Sequence, residues 1–199
     1  MSDLSKIPRP LCLDLFAGTG SATAPIREHG CMEVVGFDIS RKAKGRDVTA
    51  DVRRLPIKPG VRPRFVWASP PCTEFSQLTA LRVYHPGGLP RDPELGMVTV
   101  REAFRWARHA DFYAIENVRG SEKYIRPEYG APWLRKDAWC VWSNLPASIH
   151  SWGRWLKGRA ARSRPTPSGL PRFRTGDRSK IPRPLADAVH AAVCPGGAA

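Results

Sequence analysis

Acidic residues are scarce in this chain: 18 Asp and Glu stand against 32 Lys and Arg, a net charge of +14 over 199 residues. That imbalance argues against a cationic partner and favours an acidic polymer, nucleic acid before a membrane surface. Long apolar runs are also missing. None approaches the roughly 20 residues that a membrane-crossing helix needs, and no secretory leader is evident, so a cytoplasmic protein with no membrane partner is expected. Cysteine is sparse and scattered, at Cys12, Cys31, Cys72, Cys140 and Cys194. No Cys-x-x-Cys pair occurs, so neither a zinc site nor a disulfide framework is expected, and no metal is assigned.

Apolar side chains are plentiful. Hydrophobic residues make up 42% of the chain, with seven Trp and seven Phe, enough for one full domain and a small appendage. Charge is uneven along it. Residues 151–199 hold ten Lys and Arg against two Asp. The expected organisation is a catalytic domain over 1–150, a short basic segment over 151–180 and a returning C-terminal helix over 181–199. The hexapeptide Ser-Lys-Ile-Pro-Arg-Pro occurs at 5–10 and again at 179–184. The two copies are expected to flank one packed unit, since domain termini often lie close together.

Residues 11–16 (Leu-Cys-Leu-Asp-Leu-Phe) read as a buried strand, followed by a tight turn at Ala17-Gly18-Thr19-Gly20-Ser21 and a helix over 22–29. Residues 33–37 read as a second strand ending at Asp38, and 47–51 as an edge element. Phe65-Val66-Trp67-Ala68 reads as a strand before Pro70-Pro71-Cys72. Residues 77–94, with Pro86-Gly87-Gly88, read as a long loop, and 94–109 as a helix with apolar residues near helical spacing. Strands follow at 112–115 and 138–142, and 184–193 reads as a final helix. Strands alternating with helices predict an α/β fold with a doubly wound, mostly parallel sheet of the Rossmann-like kind.

In open parallel sheets, ligands bind at the carboxyl ends of the strands. Four marked segments fall there: Phe16–Gly20, Asp38, Ser69–Cys72 and Glu116-Asn117. Each alone reads equally as a structural turn, a helix cap, a core thiol or a surface acid. Together they place a thiol and a carboxyl in one site, beside a glycine turn suited to a nucleotide-like cofactor.

The order of these segments resembles the DNA (cytosine-5)-methyltransferase family. Asp14-Leu15-Phe16-Ala17-Gly18-Thr19-Gly20 resembles its S-adenosylmethionine loop, and Ser69-Pro70-Pro71-Cys72-Thr73-Glu74-Phe75-Ser76 its nucleophile motif. Ile115-Glu116-Asn117-Val118 resembles its Glu-Asn-Val motif. The resemblance spans about residues 10–145. It implies S-adenosylmethionine as cofactor and carbon 5 of cytosine in double-stranded DNA as the methyl acceptor. The implied cofactor contacts are Asp14, Phe16, Ala17, Gly18, Thr19, Gly20, Asp38, Ile39, Asp51, Val52, Pro70 and Leu95, with Met97 beside Leu95. Asp51 reads equally as a turn residue before Arg53-Arg54. Cys72 would attack carbon 6, Glu116 would act as a neutral acid at ring nitrogen 3, and Asn117 would tie the nucleophile loop. A helix start after Cys72 is expected to lower its thiol pKa.

The target atom is hidden in a stacked duplex, so base flipping and a closing lid over 77–94 are expected. DNA contacts are expected from Ser76, Arg82, Arg91, Arg154, Arg159, Arg162, Arg164, Arg172 and Arg174. The chain departs from the family after Tyr129-Gly130-Ala131-Pro132. Arg135 falls on the first of two expected arginine positions and Asp137 on the second. Arg135, Arg162 or Arg164 is then the candidate for contacting the flipped cytosine. The short basic segment implies a very short recognition sequence or relaxed specificity, in a monomeric enzyme of bacterial or phage type. Rival readings are an RNA cytosine-5 methyltransferase, transfer of another one-carbon unit, and a DNA-binding protein without activity.

Overall fold

The structure is a computed structural model that describes residues 9–76, 92–136, 139–146 and 181–194. Strand β1 spans Leu11–Leu15, helix α1 Ala24–His29, β2 Glu33–Asp38 and β3 Val48–Thr49. Then come β4 (Phe65–Ala68), α2 (Pro93–Ala107), β5 (Phe112–Val118), α3 (Glu122–Tyr129), β6 (Leu134–Lys136), β7 (Trp139–Ser143) and α4 (Arg183–Val193). The seven strands form one sheet in the order β3-β2-β1-β4-β5-β7-β6. The first five are parallel, while β7 runs antiparallel between β5 and β6. This is the expected α/β, doubly wound, mostly parallel architecture.

The strand sequences explain the layers. Leu-Cys-Leu-Asp-Leu and Phe-Val-Trp-Ala are buried along their whole length, as strands covered on both faces must be. Alternate residues serve separate cores. Leu13, Leu15, Val66, Ala68 and Ile115 pack with Met97, Val100 and Phe104 of α2. Cys12, Phe65, Trp67 and Ala114 pack on the other face with Ile26 of α1 and Leu185, Ala186 and Val189 of α4. Each large side chain removed from water contributes on the order of 2 kcal/mol.

Several boundaries differ from the sequence reading. Helix α1 starts two residues later than expected, because Ser21–Thr23 first complete a turn. Strand β5 runs on through Glu116-Asn117-Val118, since these residues pair with Val141, Cys140 and Trp139 of β7. Helix α3, which holds Pro127, was not anticipated. It buries only Ile125, so its apolar signal is slight.

The absence of a disulfide is also overturned: Cys31 and Cys194, 163 residues apart, are joined. Packing of α4 on α1 brings them together. Arg9 donates to the Gly30 carbonyl at 3.2 Å, and Arg183 forms a two-pronged ion pair with Glu28 at 2.6 and 2.9 Å. The equivalent arginines of the two hexapeptide copies, Arg9 and Arg183, thus both meet the carboxyl end of α1, while Ile181 N–H donates to the Ser21 hydroxyl in the turn before it. Among the described residues, no helix is long and apolar enough to cross a membrane.

Candidate active site

The glycine turn after β1 is built by close backbone approach. Phe16 itself adopts a left-handed conformation (φ 62°), as do Gly18 (50°) and Gly20 (72°). A left-handed phenylalanine is sterically unfavourable and marks a turn held by its surroundings. The holding contacts are explicit. Ala17 N–H donates to the Phe37 carbonyl at 3.0 Å, and Gly18 N–H donates to the Asp38 carboxylate at 2.9 Å. Gly45 N–H donates to the Gly18 carbonyl at 3.1 Å. A methyl group on Gly20 would lie 2.8 Å from the Gly45 Cα, so the loop after β2 seats directly on the turn.

Asp14 is buried beneath this turn and accepts a 2.7 Å hydrogen bond from the Thr23 hydroxyl. Burial raises its carboxyl to about 7, against the opposing bond from Thr23. Asp14 is therefore a support of the loop and α1. Asp38 ends β2, and its two oxygens accept from Gly18 N–H and, at 2.7 Å, from Ser40 N–H. Ile39 beside it is 70% exposed and Leu95 at the start of α2 is 60% exposed, whereas Met97 is buried in the core. Asp51 faces another partner. Both its oxygens are taken by the Arg53 guanidinium, and Oδ1 also accepts from Arg53 N–H. This holds its carboxyl down at about 2. Val52 is buried in the core.

Cys72 and Glu116 share one electrostatic neighbourhood. The Cys72 thiol is raised first by burial and then by the Glu116 charge. Burial lifts Glu116 to about 7, opposed by a hydrogen bond from Ser69. The Ser69 hydroxyl in turn accepts from the Trp67 indole at 2.9 Å, so a fully buried side chain fixes the acid's partner. The expectation of a lowered thiol pKa is thus corrected. Residues 73–75 form a single turn, closed by Phe75 and Ser76 N–H on the Cys72 carbonyl. Among the described residues after Cys72 there is a turn and not a helix, and burial outweighs this local bonding.

The nucleophile loop is fixed from several sides. Asn117 is buried; its Nδ2 donates to the Pro70 carbonyl at 3.1 Å and its Oδ1 accepts from Val118 N–H at 2.9 Å. Phe75 is buried against Tyr124 and fits over Gly96, where a methyl group would come within 2.6 Å of its ring. Its carbonyl lies over Gly120, where a methyl group would approach to 2.4 Å. The Glu74 carboxylate also accepts from Asp92 N–H at 2.8 Å, joining the two ends of the 77–91 segment. Glycines at 96 and 120 were the overlooked signals for this anchoring.

Arg135 stands in register with Cys140, which stands opposite Asn117, so it lies two strands from the acid motif. Its guanidinium binds Glu122 in a two-pronged ion pair, which lowers the Glu122 pKa. Ser76 is described, but Arg82, Arg91, Arg154, Arg159, Arg162, Arg164, Arg172, Arg174 and Asp137 lie outside the described residues, as does most of the expected lid.

No family model matches the chain, and no curated protein matches it. Similar solved structures do exist. One is an Escherichia coli prophage-encoded protein described as a candidate DNA modification methyltransferase. It is 21% identical with a TM-score of 0.43, over 60% of this chain and 36% of that one. Another is Thermoplasma acidophilum 1320, 13% identical with a TM-score of 0.43, over 70% of this chain and 80% of that one. A third is the human methyltransferase 10 domain containing protein, 11% identical with a TM-score of 0.42, over 72% and 73%. The chain thus spans about a third of the Escherichia coli protein's length. Likenesses this distant carry no argument about activity, which rests on the residues above.

Proposed function

We propose that this chain methylates carbon 5 of cytosine in double-stranded DNA, with S-adenosylmethionine as methyl donor. The observation that carries the reading is the pair of Cys72 and a buried Glu116 raised to about 7, both just beyond the last β4–β5 pairing, Ala68 with Ile115. The side chains around the glycine turn fit the cofactor. Asp38 retains lone pairs for ribose hydroxyls, and Phe16, Ile39 and Leu95 offer apolar surface to an adenine. Asp51 does not fit, because Arg53 takes its carboxylate. When bound, the cofactor supplies an electrophilic methyl group.

The chain's own groups do the rest. The productive form of the pair carries one proton, with Cys72 as thiolate and Glu116 as carboxylic acid. The thiolate forms a bond to carbon 6 while Glu116 passes its proton to ring nitrogen 3, leaving an enamine nucleophilic at carbon 5. After methyl transfer, the carbon 5 proton leaves to solvent. The carbon 6–sulfur bond then breaks, the thiolate departs and Glu116 recovers the proton from nitrogen 3. Asn117, through Pro70, holds the sulfur in position. The +14 charge supports a nucleic-acid substrate, and a paired cytosine must be flipped out to reach Cys72.

A duplex carrying 5-fluorocytosine tests the reading. Fluorine cannot leave as a cation, so the carbon 6–sulfur adduct should persist as a covalent protein–DNA band. Duplex DNA should trap wild type but not Cys72→Ala. Trapping on RNA alone would replace the substrate, and absence of any adduct would remove the function.

A further inference from the structure

Away from the strand ends that carry Cys72, the chain gathers a second set of sulfur and nitrogen donors. Cys31 follows α1 just before β2 begins at Glu33, at the amino ends of the parallel strands. Cys194 follows the last residue of α4. His190 lies one turn before Cys194, and the two are linked by the Cys194 N–H to His190 carbonyl bond at 3.0 Å. An i, i+4 pair on a helix end presents both side chains on one face. The donor atoms of Cys31, His190 and Cys194 all lie within 4.8 Å of one another. His29, the last residue of α1, stacks on His190 with ring centroids 4.3 Å apart.

We propose that, with its two thiols reduced, the cluster of Cys31, His190 and Cys194 is a structural zinc site, with His29 as the fourth ligand once its ring turns out of the stack on His190. Donor type selects the metal: two thiolates with imidazoles suit zinc rather than magnesium or calcium, and Cys2His2 is a common structural set. Size agrees. Zinc–sulfur bonds near 2.3 Å and zinc–nitrogen bonds near 2.0 Å put tetrahedral donors about 3.3–3.8 Å apart, inside the 4.8 Å spread seen here. Sequence spacing agrees as well, with His-x-Cys at 29–31 and His-x3-Cys at 190–194. Neither spacing is of the Cys-x-x-Cys kind.

The geometry that closes a disulfide also brings the free thiols to metal-ligand range. Binding replaces each thiol proton by a zinc–sulfur bond and releases the two protons to solvent. The site would clamp α4 to α1 beside the Arg183–Glu28 ion pair. It lies at the far ends of the strands from Cys72 and Glu116, so it would act on folding and not on the chemistry.

The test uses the full chain purified under reductant. Zinc per chain is measured by elemental analysis, and thiols are counted after denaturation. Cobalt replacement should give a thiolate charge-transfer band and the visible bands of tetrahedral cobalt. One zinc per chain is expected, falling below a tenth in Cys31→Ser/Cys194→Ser. His190→Ala and His29→Ala should weaken retention at least tenfold against a competing chelator. Where the double variant folds poorly, the cobalt spectra of wild type and of the His variants decide. Metal-free wild type, whether its thiols are free or oxidised, overturns the proposal. So does zinc retained by the double variant.

Discussion

Replacing Gly96 by alanine probes how the nucleophile loop is held. The added methyl group would lie 2.6 Å from Phe75 Cζ, 3.0 Å from Cε2 and 3.1 Å from the Glu74 Cβ. Ordinary contact is nearer 3.5–4 Å, so the ring must retreat by about 1 Å. The ring has little room to retreat, because it is buried and packs against Tyr124 with ring centroids 5.7 Å apart. Overpacking of this kind costs about 1–3 kcal/mol. Alanine in a helix interior returns about 1 kcal/mol over glycine. The net expectation is a loss of roughly 0–2 kcal/mol, or a fall in Tm of at most about 8 °C at 2–4 °C per kcal/mol for a chain of this size.

The effect on the loop should be larger than the effect on stability. Phe75 is three residues from Cys72, and its N–H bonds the Cys72 carbonyl. Methyl transfer by Gly96→Ala should therefore fall by at least tenfold even at temperatures where the variant is fully folded. Phe75→Leu removes the ring atoms that clash, so the double variant should recover part of the loss. Thermal melts, tritium transfer and a double-mutant cycle read this out. If Gly96→Ala is more stable than wild type by the helix-propensity amount and fully active, the packing argument fails.

Glu116→Gln should lower methyl transfer by about 10²–10⁴-fold. It should also make Cys72 more reactive toward a thiol reagent at neutral pH, because the charge that raises the thiol is gone. An unchanged thiol would separate the two groups. Asn117→Ala leaves the Pro70 carbonyl and Val118 N–H without their partner and should cost about 1–3 kcal/mol in urea unfolding. A neutral result would mean the loop does not depend on that amide. Asp14 and Glu116, both raised to about 7, keep protons in the folded chain that the unfolded chain gives up near pH 4. Their contribution to stability is therefore present at acid pH and lost as pH rises from about 4 to about 7. Asp14→Asn with Glu116→Gln should flatten that slope, and an undiminished slope would assign it to other groups.

Sequence pattern revealed the sheet because its central strands are continuous apolar runs. Phe-Val-Trp-Ala and Leu-Cys-Leu-Asp-Leu could hardly be anything but buried. The ends of elements were harder to read. Glu116 and Asn117 lie inside β5 because β7 pairs with them, and no local signal in a charged pair announces a partner strand. Cys72 and Glu116 could be paired from their order along the chain. The direction of the thiol's pKa could not, since burial depends on what packs around it. Asp51 looked as suited to adenine as to a turn, and the adjacent Arg53 decides its geometry. The Cys31–Cys194 approach depends on α4 docking against α1, a contact across 163 residues that composition cannot report.

Mass analysis of nucleosides from duplex DNA incubated with the chain and S-adenosylmethionine tests the central claim most directly. Wild type should produce 5-methylcytosine and Cys72→Ser none. The account is contradicted if Cys72→Ser still makes 5-methylcytosine, or if wild type makes only N4-methylcytosine or N6-methyladenine.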